Sequence, residues 1–191
     1  MTKTTKTILT VFGVLLLLVL LIAGWAIGQY NKVVAMDENV SGKWAQVENQ
    51  LKRRYDLIPN LLETVKGYAK HEKELFENLA EARTKYFQQK SVGGKVQAAN
   101  ALEGTLSRLL LLQERYPELK ANQNFLKFQD SLEGTENRIA VERKRYNEAV
   151  QMLNTYRRTF YGRFFAAFAG VEEAEYYELP EGEAEVPKVK F

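Results

Sequence analysis

Cysteine is absent from the 191-residue chain, and histidine and proline are rare, with one and four residues. The absence of cysteine excludes disulfide bonds, thiolate zinc sites and cysteine nucleophiles. A single histidine also leaves no pair of imidazoles for the zinc-hydrolase or di-iron motifs that helical proteins use. The chain must therefore be interpreted from its charge and hydrophobic patterning.

The motifs that could still carry catalysis each lack a required residue. In HEKEL at 71–75, Leu75 occupies the place of the second histidine of a zinc-protease helix. The GGK at 93–95 lacks the upstream glycine and the following serine or threonine of a phosphate-binding loop. We therefore predict no enzyme: no catalytic, cofactor-binding or metal-binding residue, no cofactor, and neither a small-molecule substrate nor nucleic acid as partner.

Charge is missing from one long stretch near the N-terminus. Residues 8–27, ILTVFGVLLLLVLLIAGWAI, would span about 30 Å as a helix, which is the thickness of a bilayer core. Trp25 and Tyr30 lie where interfacial aromatic residues are favoured. A cleaved signal peptide is the alternative, but its apolar region would be shorter and followed by a better cleavage site. We predict a short segment 1–7 and a retained signal anchor at 8–29, with the lipid bilayer as a partner.

The charges beside this span leave the side of the following domain undecided. Lysines precede and follow the span in similar numbers, with a small excess that favours an inside N-terminus. We therefore predict a single-pass membrane protein, with a slight preference for a domain outside the cytoplasm.

Beyond the span, apolar residues recur at steps of three and four, as in a helix packed on one side and close to a coiled-coil seam. They are Val40, Trp44, Val47, Leu51, Tyr55, Ile58, Leu62, Val65, Ala69, Phe76 and Leu79. Leucines predict a second helix over about 95–115, and a third follows the potential N-cap Asn122 with apolar residues from Phe125 to Phe160.

These patterns predict an all-α fold. We expect an elongated antiparallel bundle over residues 30–170, with three main helices and a short closing helix at FYGRFFAAFAG, after the single transmembrane helix. The acidic segment 171–191 predicts a mostly irregular tail. The sequence contains no alternating, β-branched stretch of strand length, so we predict no sheet.

Polar residues interrupt the pattern in QLKRRYDLIPNLLETVKGYAKHE, at 50–72. The apolar seam stays in phase across Pro59, which indicates one continuous helix with a kink at Pro59. A helical wheel places six residues on or beside one face, here called the polar stripe: Arg53, Asp56, Asn60, Thr64, Gly67 and His71. The polar stripe is either a solvated face or a docking surface. Gly67 favours docking, because glycine in an exposed helix costs nearly 1 kcal/mol against alanine.

A second polar cluster lies in the third predicted helix. Glu136, Arg143 and Asn147 recur at steps of seven and four, hence on one side. We interpret them as inter-helical ion pairs or hydrogen bonds that fix the register of the bundle. A functional surface is the alternative.

Three long segments of the chain resemble the LemA family of bacterial membrane proteins: QVENQLKRRYDLIPNLLETVKGYAKHE, ERYPELKANQNF and ENRIAVERKRYNEAVQMLN. The resemblance implies a single N-terminal helix in the bacterial cytoplasmic (inner) membrane, an elongated helical bundle and no established enzymatic activity. It also implies that a signature is matched position by position, at Arg53, Asp56, Pro59, Asn60, Gly67, His71 and Glu72. Tyr161 departs from the family, which usually has proline there.

Two functions of different classes follow. The first is a membrane-anchored helical scaffold or interaction protein, without catalysis, that forms a homo-oligomer or binds a membrane-protein partner, with the polar stripe as one contact. The second is a membrane-remodelling or lipid-surface-binding protein that uses the net positive charge of the bundle.

Overall fold

The computed structural model describes residues 3–178, and these residues form helices and no strand. The helices are α1 (Lys3–Tyr55), α2 (Ile58–Lys66), α3 (Lys73–Gln88), α4 (Val92–Leu110), α5 (Leu112–Arg115), α6 (Pro117–Lys120), α7 (Gln123–Arg158) and α8 (Phe160–Ala169). The predicted all-α bundle after one long N-terminal apolar helix is confirmed. The first and second of the three predicted main helices are each divided into shorter helices.

The described residues belong to two compact units. The first unit contains the chain up to Ser41 and the segment Ala149–Ala174, and the second contains Gly42–Glu148 and the chain from Glu175. Helices α1 and α7 therefore each contribute to both units.

The apolar seam forms much of the core, because all eleven of the seam residues from Val40 to Leu79 are buried. In the second unit it is joined by residues of α4 and α7 that include Leu102, Leu106, Phe125 and Ile139. Burial of each such side chain contributes about 1.5–3 kcal/mol. The spacing of apolar residues thus predicted correctly which side of each helix is buried.

The prediction of one continuous helix through Pro59 is wrong. Helix α1 ends at Tyr55, Asp56 and Leu57 form a turn, and α2 begins at Ile58. Pro59 therefore lies in the first turn of α2, where its missing N–H is not needed. The seam keeps its phase because the interruption is short and its backbone remains near helical angles, with Leu57 at φ −76° and ψ −25°.

The N-cap predicted at Asn122 is confirmed. The Asn122 side-chain oxygen accepts hydrogen bonds from the backbone N–H groups of Asn124 and Phe125, at 2.9 and 3.0 Å. The second predicted helix is instead divided at Leu111 into α4 and α5.

In the first unit, α8 packs against α1 through aromatic rings. The ring of Trp25 lies 5.1 Å from that of Tyr161 and 5.7 Å from that of Phe165, in edge-to-face arrangements. The Thr159 hydroxyl caps α8 by accepting from the Gly162 N–H. Tyr161 lies in the first turn of the helix, where proline is also tolerated.

The side chains of the span remain uncovered by protein. Those from Ile8 to Ile22 are about half to two-thirds exposed. This helix is long and apolar enough to cross a membrane, and it is the one such helix among residues 3–178.

Candidate functional site

The six residues of the polar stripe do not lie on one helix. Arg53 belongs to the last turn of α1 and Asp56 to the turn that follows; Asn60 and Thr64 lie in α2; Gly67 and His71 lie between α2 and α3. Five of them are exposed and Thr64 is half-buried. The helical wheel therefore predicted the exposure of these residues correctly. Because the wheel assumes one continuous helix, it does not show that they share a face.

Two signature residues of this region bind other parts of the second unit. The Asp56 carboxylate lies 3.3 Å from the Arg83 guanidinium of α3, and that guanidinium also donates to the Tyr55 carbonyl at 3.0 Å. The Glu72 carboxylate accepts from Arg115 at 2.6 Å. Asp56 and Glu72 thus fasten the two turns that border α2.

The other exposed positions have no such internal role. Among the described residues, the side chains of Arg53, Asn60 and His71 make no hydrogen bond or ion pair. Gly67 has ordinary helical angles, φ −63° and ψ −30°, and a Cβ there would meet only the Thr64 carbonyl oxygen, at 3.6 Å. Neither backbone strain nor lack of space within the chain requires glycine at this position.

A buried ion cluster lies beside this region, and Arg54 is its centre. The Arg54 guanidinium lies 2.8 Å from Glu103 of α4 and 2.8 Å from Glu136 of α7, and it donates to the Leu132 carbonyl at 2.9 Å. The Arg54 side chain is 9% exposed, whereas those of Glu103 and Glu136 are 25% and 50% exposed. One guanidinium therefore joins three helices of the second unit.

Burial dominates the electrostatics of the cluster. It raises the pKa of Glu103 above the usual range of a carboxyl group, against the opposing effect of Arg54, and the nearby Glu136 raises it further. Burial also raises the pKa of the neighbouring Tyr55 phenol, with a smaller contribution from Glu103. Removal of Arg54 would leave two acidic groups without their shared cation.

A polar recess of about 270 Å³ opens beside the cluster. Its charged lining consists of Arg54, Arg143, Glu103 and Glu136, so its formal charges cancel when all four are ionised. The recess therefore offers no net charge that would select an anion or a cation. No group of three metal-ligating side chains occurs among residues 3–178.

Sequence reasoning missed Arg54 and Glu103, although a signal for both was present. Arg54 lies three residues after Leu51 and four before Ile58, and is therefore in phase with the buried seam. Glu103 is likewise four residues after Ala99 and three before Leu106. A basic residue on one seam and an acidic residue on another indicate a buried pair.

Of the second polar cluster, only Glu136 has the predicted inter-helical role, whereas Arg143 and Asn147 contact the non-helical segment at Tyr177. Glu136 forms the ion pair with Arg54. The Asn147 side chain donates to the Tyr177 carbonyl at 3.0 Å and accepts from the Tyr177 N–H at 2.8 Å, while Arg143 lies 5.6 Å from the centre of the Tyr177 ring. These contacts fix the chain near Tyr177 as well as the helices.

The non-helical segment after α8 is thus held by specific bonds. In the second unit the Tyr146 hydroxyl donates to the Glu175 carbonyl at 2.6 Å, and the Tyr177 side chain is buried. Burial raises the pKa of both phenols, Tyr146 and Tyr177, to about 12. The rest of the predicted tail, residues 179–191, lies outside the described residues.

The sequence profile of the LemA family matches residues 43–191, which is most of the chain and includes the polar stripe and the ion cluster. The apolar span precedes the matched segment. A comparison with curated proteins found no match. The chain belongs to the LemA family.

Proposed function

We propose that the protein is a membrane-anchored, non-catalytic interaction protein that self-associates or binds a membrane-protein partner through Arg53, Asn60, Gly67 and His71. The proposal rests on a difference among the residues that match the LemA signature. Asp56 and Glu72 serve internal contacts, whereas these four positions are exposed and have no internal contact that explains them.

The chemistry of these positions fits a docking surface for a protein. An arginine, an amide and an imidazole offer directional donors, and a glycine permits a close approach of another backbone. LemA proteins are not a known family of enzymes, which supports a role in binding rather than in catalysis.

The membrane anchor of the proposal is supported by the exposed apolar helix near the N-terminus. We place this anchor in the cytoplasmic membrane of a bacterium, with the residues after the span outside the cytoplasm. Because the chain has no native cysteine, Lys120→Cys provides a single thiol at an exposed site. A membrane-impermeant maleimide should label it on intact cells. Labelling only after lysis would place the domain in the cytoplasm.

Photo-crosslinking in the native membrane tests the docking surface. A photoreactive residue at Asn60 or His71 should give a discrete adduct, and one at the exposed Arg108 of α4 should give none. An adduct of twice the chain mass identifies self-association, and any other discrete mass identifies a partner. Absence of adducts at Asn60 and His71, or equal adducts at Arg108, would contradict the proposal.

A further inference from the structure

Helix α8 carries an exposed row of aromatic rings, here called the aromatic stripe: Phe160, Tyr161, Phe164 and Phe168. Their exposed fractions are 86%, 56%, 67% and 75%, although aromatic side chains of this size are normally buried. Phe160 was predicted to be the last apolar residue of the third helix, but it is instead the exposed first residue of α8.

The aromatic stripe follows from the helical period. At ~100° per residue, Phe160, Phe164 and Phe168 fall within about 80° of arc and Tyr161 lies just beyond them. The opposite face, with Phe165 and Ala166, is buried. Helix α8 is therefore apolar on both faces, and the packing of the first unit covers only one of them.

Ring contacts with α1 show which part of the span lies beside the aromatic stripe. Tyr161 and Phe165 meet the ring of Trp25, and the Phe168 ring lies 5.9 Å from that of Tyr30. Trp25 and Tyr30 mark the C-terminal end of the apolar span, where a spanning helix leaves the hydrocarbon. The aromatic stripe thus lies at the level of the bilayer interface if α1 crosses the membrane.

The charges beside the aromatic stripe fit lipid headgroups. Arg158 and Arg163 are exposed, and Lys32 lies 4.8 Å from the centre of the Tyr156 ring in the preceding helix. Cations beside an apolar, aromatic face are typical of interfacial helices, in which the rings enter the acyl boundary and the cations remain at the phosphates.

We propose that α8 is an interfacial membrane helix, whose aromatic stripe inserts into the phospholipid bilayer beside the end of the span while Arg158 and Arg163 bind lipid phosphates. This inference rests on the membrane anchor of the proposed function but not on the docking surface. It gives the protein a second contact with the membrane, which fixes the direction in which the chain leaves the bilayer.

Tryptophan quenching by brominated lipids tests the inference on the full chain. Since the chain has two tryptophans, Trp25→Phe and Trp44→Phe provide a background without tryptophan. Phe164→Trp then reports on the aromatic stripe. Met152→Trp is the matched control, because Met152 is exposed on α7 one turn before Tyr156, whose hydroxyl donates to Gln29 at the C-terminal end of the span.

Both variants are reconstituted in phosphatidylcholine–phosphatidylglycerol vesicles with bromine on the acyl chains. The reporter at 164 should lose roughly half or more of its emission, because an interfacial helix lies ~5–10 Å into the headgroup boundary. The reporter at 152 should lose little. The quenching at 164 should not change when the protein is diluted in the bilayer.

Other results would overturn either the interfacial helix or the membrane anchor. Equal and weak quenching at both positions would overturn the interfacial helix. Shielding of residue 164 from an aqueous quencher that disappears on dilution would assign the aromatic stripe to a second copy of the chain and also overturn it. Extraction of the chain from vesicles by alkaline carbonate would overturn the anchor itself, whereas failure of cross-linking at Asn60 would leave this inference intact.

Discussion

The two compact units of the chain differ in how many large apolar side chains they expose. The first unit buries some apolar side chains, such as Val33 and Leu153, but exposes large ones along its span and on α8, such as Leu15 and Phe164. In the second unit, most large apolar side chains are buried, and a guanidinium, that of Arg54, is buried with them. We interpret this difference as adaptation to two environments, water and lipid. The second unit is organised by exclusion of water, and the exposed surface of the first is suited to lipid.

Loss of the buried cation should have the largest effect on the second unit. Arg54→Met keeps the length of the side chain but leaves Glu103 and Glu136 unpaired, which should lower the free energy of unfolding by ~3–5 kcal/mol at neutral pH. Urea unfolding of the full chain in detergent, followed by circular dichroism, measures this change. Lys144→Met, which removes an exposed pair with Glu148, should change it by less than ~0.5 kcal/mol.

The same variant should show a characteristic pH dependence. Without Arg54, the folded-state pKa of Glu103 rises further above its unfolded value, so the folded protein binds the proton more tightly. Its stability should then fall as pH rises above ~4.5 and recover on acidification. A loss that is the same at pH 5 and pH 7.5 would show that packing, and not charge, is the cause.

The comparison of the two units predicts different costs for similar truncations. Leu106→Ala in the second unit should cost ~2–5 kcal/mol, because the side chain is 1% exposed and a cavity would remain. Phe164→Ala in the first unit should cost less than ~0.5 kcal/mol in detergent, since its ring is largely exposed. Thermal unfolding of both variants measures the contrast. Similar costs would show that Phe164 is packed by protein.

The segment near Tyr177 gives a smaller effect. Asn147→Ala removes the side chain that satisfies both backbone groups of Tyr177, and the expected loss is ~2 kcal/mol. Hydrogen exchange at the Tyr177 N–H should become faster in the variant. Lys144→Ala, one turn earlier on α7 and exposed, is the control and should leave this exchange unchanged.

Two glycines should respond with opposite signs. Gly170 has φ +68° at the C-cap of α8, so Gly170→Ala should cost ~1–2 kcal/mol. Gly104 lies within α4 with open space around a potential Cβ, so Gly104→Ala should stabilise by up to ~1 kcal/mol. Melting temperatures measure both. A loss at Gly104 would indicate that something approaches α4 closely.

The sequence predicted the core well because helical periodicity alone determines which side of a helix is apolar. It failed at Pro59 because a short turn near helical angles preserves the phase of the seam, so the pattern does not register the break. It missed Arg54 because Arg53 and Arg54 are adjacent and only their phase distinguishes an exposed from a buried arginine. The exposure of Phe160 was missed because apolar periodicity does not distinguish a helix face packed by protein from one left exposed.

The central claim is that Arg53, Asn60, Gly67 and His71 form a docking surface, and a matched pair of glycine substitutions tests it most directly. Gly67 and Gly104 are both exposed, and a Cβ has room at each. Gly67→Trp and Gly104→Trp should therefore leave helicity unchanged. In cells that carry the photoreactive residue at Asn60, Gly67→Trp should abolish the cross-linked adduct and Gly104→Trp should preserve it. An adduct that survives Gly67→Trp in a folded protein would contradict the claim.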